Sequence, residues 1–116
     1  MGTPKKRTSK TREIRVSNFA HQNIEDIIKC IAYTKQQPLS ALKVNEAIEN
    51  TITKISENPF AYKECEQLQT KFKIYRQTIC LSWLIIYKIL TNEILILSII
   101  HGARNPSQIK ALRKVK

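Results

Sequence analysis

Three β-rich runs, set close together, most constrain how this chain can fold. They are "KFKIYRQTICL" at 71–81, "WLIIYKIL" at 83–90 and "EILILSII" at 93–100. The runs are rich in β-branched and aromatic residues, and the pairs Leu81-Ser82 and Thr91-Asn92 separate them. Breaks this short are typical of turns between antiparallel neighbours. The second half of the chain therefore predicts a meander of three antiparallel strands.

The first half of the chain predicts one strand followed by two helices. "REIRV", from Arg12 to Val16, alternates as a strand does, and Ser17 or Asn18 can then cap a helix. Apolar residues recur along that helix at helical spacing: Ala20, Ile24, Ile27, Ile28 and Ile31. Pro38 separates it from a second helix, predicted from Leu39 to Glu57 and ended by Asn58-Pro59. The apolar stripe of the second helix contains Leu42 or Ala41, then Val44, Ile48, Ile52 and Ile55.

This order of elements predicts an α+β fold of the form β-α-α-β-β-β. We expect the two helices to pack as a hairpin across one face of a small, twisted, mainly antiparallel sheet. The other face is then free to curve and bind a partner, and the first strand pairs with one of the later three. After the last strand, "NPSQIKALRK" predicts a short C-terminal helix with Asn105 as its cap and Pro106 in its first turn.

Length and composition predict one domain in a reducing compartment. The 116 residues suit a single domain at 12–116, preceded by a flexible basic tail at 1–11. Cys30, Cys65 and Cys80 have neither CxxC nor metal-ligand spacing, so we expect free thiols that pack, without a metal. No apolar run reaches the ~20 residues of a membrane helix, and no apolar stretch follows the basic N-terminus as in a secretory signal. We therefore expect a cytoplasmic protein that does not bind membranes.

Positive charge is concentrated in the last third of the chain. The net charge is +11, and residues 71–116 hold nine basic residues against one acid. Residues 16–70 hold five basic and seven acidic residues, so the middle of the chain is slightly negative. A concentrated positive field attracts phosphate-bearing or acidic partners and speeds encounter with them. We expect the twisted sheet to gather these basic side chains into one concave binding surface.

Four segments stand in a characteristic order along the chain: "NFAHQNIEDIIKCI", "ISENPFAY", "YRQTICLSWLIIYKI" and "ILILSIIHGARNP". They resemble, in turn, the first helix, the link out of helix two, the arginine-bearing and tyrosine-ending strands, and the HGAR-type ending of the RelE/ParE superfamily. This superfamily consists of bacterial toxins from type II toxin–antitoxin modules, some of which act in plasmid stabilisation. The resemblance covers residues 14–112 and implies the same β-α-α-β-β-β fold.

The superfamily acts in two ways, and the resemblance implies a different role for the residues here in each. RelE-like members are endoribonucleases that cleave mRNA on the ribosome. RNA cleavage needs a base, an acid and cations around the phosphate, and His101 and Arg104 are the candidate catalytic residues. ParE-like members bind DNA gyrase instead. The candidate target-binding residues are Lys73, Tyr75, Arg76, Tyr87 and Arg104.

Two positions favour the ParE-like branch. Leu84, directly after Trp83, stands where the RelE pattern usually carries an arginine, and Ile109 stands where that pattern carries a C-terminal tyrosine. The expected function is therefore a growth-inhibiting toxin that binds gyrase, with ribosome-dependent mRNA cleavage as the alternative. Because side chains alternate along a strand, Lys73 and Arg76, three residues apart, are predicted to lie on opposite faces of the sheet.

The resemblance also implies a protein partner and no cofactor. Toxins of this kind are neutralised by an antitoxin, with which they form a hetero-oligomer. The antitoxin's C-terminal segment binds as a helix in the groove beside the helical hairpin or as an added strand. A small sheet offers unpaired edges for such a strand, and an acidic segment complements the basic half of the chain.

Overall fold

The computed structural model describes residues 12–101 and 106–115 and has the predicted α+β architecture. Its strands and helices are β1 (Glu13–Val16), α1 (Asn18–Lys29), α2 (Pro38–Glu57), β2 (Lys63–Glu64), β3 (Tyr75–Cys80), β4 (Trp83–Ile89), β5 (Glu93–His101) and α3 (Pro106–Lys110). No helix within these two ranges combines the length and apolar character needed to cross a bilayer. The predicted tail at 1–11, Arg104 and the predicted cap Asn105 lie outside the described residues.

The five strands form one sheet in the order β1-β5-β4-β3-β2. The predicted antiparallel meander of β3, β4 and β5 is confirmed, and the first strand pairs with one of the later three as expected. β1 runs parallel to β5, with Glu13 opposite Glu93. Arg15 of β1 donates to the Glu93 carboxylate at 2.8 Å, and this hydrogen bond lowers the pKa of Glu93. The sequence does not predict β2, because two residues are too few to show alternation.

β3 begins later than the sequence predicts. A turn occupies the start of the predicted run: Lys73 N donates to Thr70 O at 3.1 Å, and Ile74 N donates to Thr70 Oγ1 at 3.1 Å. Lys73 has a φ of 55°, in the left-handed region that no strand residue adopts. The prediction that Lys73 and Arg76 lie on opposite faces of one strand is therefore wrong, because Lys73 precedes the strand.

The two helices begin and end close to their predicted limits. Ser17 caps α1: its Oγ accepts from Ala20 N at 2.9 Å and donates to Leu97 O in β5 at 3.1 Å. α2 starts with Pro38 in its first turn, where the missing N–H costs no helical hydrogen bond. Of the two alternatives for the apolar stripe of α2, Ala41 is buried, whereas Leu42 is 63% exposed.

The helical hairpin packs on one face of the sheet, as predicted. α2 contributes Ile48 and Ile55 to this core, and both are fully buried. Alternate residues of β4 and β5 face them, among them Ile85, Tyr87, Ile89, Ile94, Ile96 and Ile99. The apolar stripes of α1 and α2 therefore face one continuous apolar surface of the sheet.

The second face of the sheet is also covered, so the expectation of a free concave face is wrong. Ile109 of α3 and Leu112 of the following turn pack there, together with Cys65 and Leu68 from the segment before β3. The covered residues are Tyr75, Leu84, Ile86, Leu95 and Leu97. β4 and β5 are apolar on both faces, and a strand of that kind is stable only when both faces are buried.

One side chain of α1, that of Asn23, hydrogen-bonds to β5 beyond the point where β1 ends. Leu97 is an extra residue in β5 relative to β4, which makes a β-bulge. Beyond that point Asn23 Oδ1 accepts from Ser98 Oγ at 2.8 Å and from Ile99 N at 3.0 Å. These bonds attach β5 to α1 near the end of the strand at His101.

Two of the three cysteines pack as predicted. Cys80 is buried beneath the helices and Cys65 under the C-terminal segment, and burial raises the pKa of the Cys65 thiol. Cys30 is exposed, so the prediction that it packs is wrong. All three thiols are free.

Candidate functional site

His101, the last residue of β5, lies at the edge of a hollow between the sheet and the end of α1. It stands opposite Trp83 of β4, and the two rings meet edge to face with their centroids 5.5 Å apart. The hollow has a volume of about 340 Å³. We call it the His101 hollow. The residues that line it include Asp26, Ile27, Cys30, Lys35, Trp83 and His101.

A π-helical turn at Cys30–Thr34 shapes the mouth of the His101 hollow. α1 widens there, and Lys35 N donates to Cys30 O at 3.0 Å across the five-residue turn. Lys35, which follows this turn directly, lines the same opening as Asp26 and His101. An apolar hollow with a few charged groups at its rim suits an apolar side chain of a partner. The other predicted catalytic residue, Arg104, follows His101 by three positions and lies outside the described residues.

Arg76 lies at the opposite end of the sheet, and its Nε and Nη1 donate to backbone carbonyls. Its Nε donates to Lys73 O at 2.8 Å, and its Nη1 donates to Tyr62 O at 2.8 Å and to Phe60 O at 3.0 Å. The guanidinium also lies 5.2 Å from the centre of the Phe60 ring. Arg12 approaches the same ring at 5.4 Å. In this structure Arg76 joins the start of β3 to the segment after α2.

Tyr75 and Lys73 differ sharply in their exposure. The Tyr75 ring is 5% exposed and packs under the C-terminal segment, with Lys88 Nζ and the Arg113 guanidinium each 5.4 Å from its centre. Lys73 is exposed in the turn before β3. Of this pair, only Lys73 is freely available to a macromolecular target.

Tyr87 is fully buried beneath the helical hairpin. Its hydroxyl donates to Pro59 O at 2.6 Å, and burial raises the pKa of the phenol. Tyr87 therefore has no surface that could meet a target in this structure. Trp83 lies on the same face of β4 and is partly buried against the same core.

The predicted site residues divide between the two ends of the sheet. Tyr75 and Cys80 are the first and last residues of β3, and five strand steps put them roughly 17 Å apart. Cys80 is opposite Trp83, which is opposite His101. His101 is therefore far from Lys73, Tyr75 and Arg76. Within residues 12–101 and 106–115, no three His, Cys, Asp or Glu side chains converge as a metal site.

Comparison with known proteins identifies the family. The family described as "ParE toxin of type II toxin-antitoxin system, parDE" matches residues 14–106. This chain belongs to the ParE toxin family. Its fold is similar to a solved structure described as "Chromosomal ParDE TA system from P. aeruginosa", with a TM-score of 0.66 and 14% sequence identity. The match covers 80% of this chain and 98% of that chain, and no curated protein matches.

Membership of the ParE family confirms the predicted resemblance and places the protein among toxins of type II toxin–antitoxin systems. The matched range includes both His101 and Arg104. The sequence alone did not predict that Asp26 and Lys35 lie beside His101, or that Phe60 lies beside Arg76. Asp26 and Lys35 flank the end of α1, but only tertiary packing brings them to His101. For Phe60 the one signal is its position directly after the proline that ends α2.

Replacing Tyr87 of this ParE-family toxin with phenylalanine should lower the free energy of unfolding by about 1–3 kcal/mol, because the Pro59 carbonyl loses its buried donor. Urea unfolding measures the change. Above pH ~10 the Tyr87 phenol ionises in the unfolded chain but not in the folded one. The free energy of unfolding of the wild type therefore falls as the pH rises, and the variant lacks this contribution. Tyr33→Phe is the control, since Tyr33 is 75% exposed; equal losses in both variants would contradict the assignment.

Proposed function

We propose that this ParE-family protein is the toxin of a type II toxin–antitoxin module that stops growth by binding DNA gyrase. The separation of His101 from the basic and aromatic candidates Lys73, Tyr75 and Arg76 is the observation that favours binding over RNA cleavage. Cleavage needs a base, an acid and cations around a single phosphate. His101 is separated from the level of Tyr75 by roughly 17 Å along the strands. Arg76 uses its Nε and Nη1 donors for backbone carbonyls at that far end of the sheet. Binding a protein needs no such convergence.

The His101 hollow, together with Arg104, is the surface we propose for target contact. Protein interfaces place an apolar anchor in a pocket and surround it with polar groups. The hollow offers an apolar wall from Ile27 and Trp83, with Asp26 and Lys35 at its rim. An arginine fork such as that of Arg104 can hold a carboxylate of the target through two parallel hydrogen bonds.

A groove on the helical side of the sheet supports neutralisation by an antitoxin. β1 is an edge strand, and the groove beside it has a volume of about 600 Å³. Apolar side chains line it from β1, α1 and α2, among them Ile14, Val16, Ile24, Ile48 and Ile52. An unpaired strand edge accepts an added strand, and an apolar groove accepts an amphipathic helix. The proposed partner is therefore a protein segment with one apolar face.

Inducing the protein in a bacterium that lacks the antitoxin tests the proposal. Gyrase binding should give a DNA-damage response and filamentous cells, with transcripts intact on RNA gels. The alternative is a ribosome-dependent mRNA endoribonuclease, which the exposed His101, three positions before Arg104, favours. Rapid transcript cleavage with arrest of translation would reject gyrase binding in favour of that alternative. Unimpaired growth would reject both activities.

A further inference from the structure

The turn before β3 presents an aromatic side chain between two lysines. Phe72 is 75% exposed, and Lys71 Nζ lies 5.6 Å from the centre of its ring. Lys73 follows, with the left-handed backbone that closes the turn on Thr70. The turn therefore holds an aromatic face in solvent, beside two positive charges, where it contributes nothing to either core.

Two further cations lie next to this turn. Lys88 and Arg113 each approach the Tyr75 ring at 5.4 Å, and Arg113 Nη2 also donates to Gln69 O at 3.1 Å. Arg113 thus contacts the chain on both sides of the turn. We call Lys71, Phe72, Lys73, Lys88 and Arg113 the Phe72 surface, and the buried Tyr75 ring lies beneath it.

The charges of the Phe72 surface are not neutralised by ion pairs. Across residues 12–101 and 106–115 the only salt bridge is Arg15–Glu93, which lies at the β1 side of the sheet. The acids nearest in sequence to the turn are Glu66 and Glu64, and Glu64 accepts from Thr70 N at 3.3 Å. The acid nearest in sequence to Lys88 is Glu93, which is paired with Arg15. Lys71, Lys73, Lys88 and Arg113 therefore outnumber the acids close to the turn, and the surface has a positive excess.

We propose that the Phe72 surface binds single-stranded nucleic acid. Lysine and arginine side chains hold the phosphates, and an exposed aromatic ring stacks on an unpaired base, which is how proteins bind single strands without reading sequence. The aspartate and glutamate side chains of an acidic peptide offer charge but no flat ring to stack on Phe72. The bases of a duplex are already stacked on each other and leave no face open. The surface is distinct from the His101 hollow, so this proposal does not depend on gyrase binding.

Fluorescence anisotropy with a fluorescein-labelled 12-nucleotide oligothymidylate and the full chain tests the stacking contact. Phe72→Leu keeps an apolar side chain but loses the ring, and should weaken binding about fivefold to a hundredfold. Phe72→Trp keeps a ring and should bind at least as tightly as the wild type. Leucine and tryptophan are both tolerated by the fold at an exposed position. The melting temperatures of both variants should therefore match that of the wild type, which checks that they fold.

The salt dependence of binding tests the phosphate contacts. Each phosphate contact to a single strand contributes about 0.7 to the slope of log affinity against log salt. The double variant Lys71→Gln/Lys73→Gln should therefore reduce the slope by about 1.4. The matched control is Lys43→Gln/Lys54→Gln, which removes two exposed lysines from α2 and should leave the slope unchanged.

Three results would overturn the proposal. The first is equal affinity of Phe72→Leu and the wild type, which would assign any binding to other basic residues, including those at 1–11. The second is a similar loss of slope in the control double variant. The third is equal competition by polyglutamate and by unlabelled oligothymidylate, which would identify an acidic peptide as the ligand.

Discussion

Replacing Arg104 with alanine should abolish growth inhibition by the induced protein. Colony counts under induction should return to those of cells that carry an empty plasmid. The expectation has two sources: the HGAR-type ending of the ParE-like members, and the position of Arg104 three residues after the exposed His101. Removing a guanidinium that pairs with a target carboxylate loses two charge-assisted hydrogen bonds at once.

Two further variants show whether the Arg104 effect belongs to target binding. Arg104→Lys keeps the charge but not the planar fork, so toxicity should be partly retained. Lys54→Ala removes a charge from the exposed side of α2 and should remain fully toxic. Circular dichroism and antitoxin binding should be unchanged in all three variants. Full toxicity of Arg104→Ala would remove Arg104 from the proposed target surface.

Replacing Ile48 with alanine should lower the free energy of unfolding by about 2–5 kcal/mol. Ile48 is 1% exposed, and its side chain projects from α2 onto the sheet. Truncating it therefore leaves a cavity that the surrounding strands cannot fill. For a domain of this size the melting temperature should fall by about 6 °C or more. Urea unfolding and calorimetry measure both quantities.

Leu42→Ala is the matched control for Ile48→Ala, because it truncates a similar side chain on the same helix. Leu42 is 63% exposed, so its loss should change the free energy of unfolding by no more than about 0.5 kcal/mol. A large effect at Leu42 with a small one at Ile48 would reverse the burial assigned to α2. It would also restore Leu42 to the apolar stripe.

Local patterns predict most of the fold. The stripe from Val44 to Ile55 and the runs after residue 71 are set by backbone geometry within each element, so periodicity finds both helices and the three-strand meander. The choice between Ala41 and Leu42 is different. Both fit the helical spacing, and only the position of the sheet decides which of them is buried.

The cover on the second face of the sheet depends on contacts between distant parts of the chain. Ile109 and Leu112 reach that face from beyond β5, and Cys65 reaches it from before β3. The apolar character of β4 and β5 on both faces signals that a cover is needed, but it does not say which segment supplies it.

The candidate site was the hardest part to predict, because exposure depends on partners far away in sequence. Tyr87 and Arg76 suit a binding surface by residue type. In the fold, however, the Tyr87 hydroxyl donates to the Pro59 carbonyl. The Arg76 guanidinium donates to the carbonyls of Phe60 and Tyr62. Those acceptors are backbone carbonyls, which carry no sequence signature. His101 kept its exposure because it lies at the very end of its strand.

The place of β5 in the sheet has a consequence for synthesis. β5 lies between β1 and β4, yet it is the last strand to leave the ribosome, so the early strand and both helices must wait for their partner. A nascent chain that has not yet released residue 101 cannot assemble either apolar core. Pairing between strands so distant in sequence is slow, so the sheet is completed only some time after residue 101 has been translated.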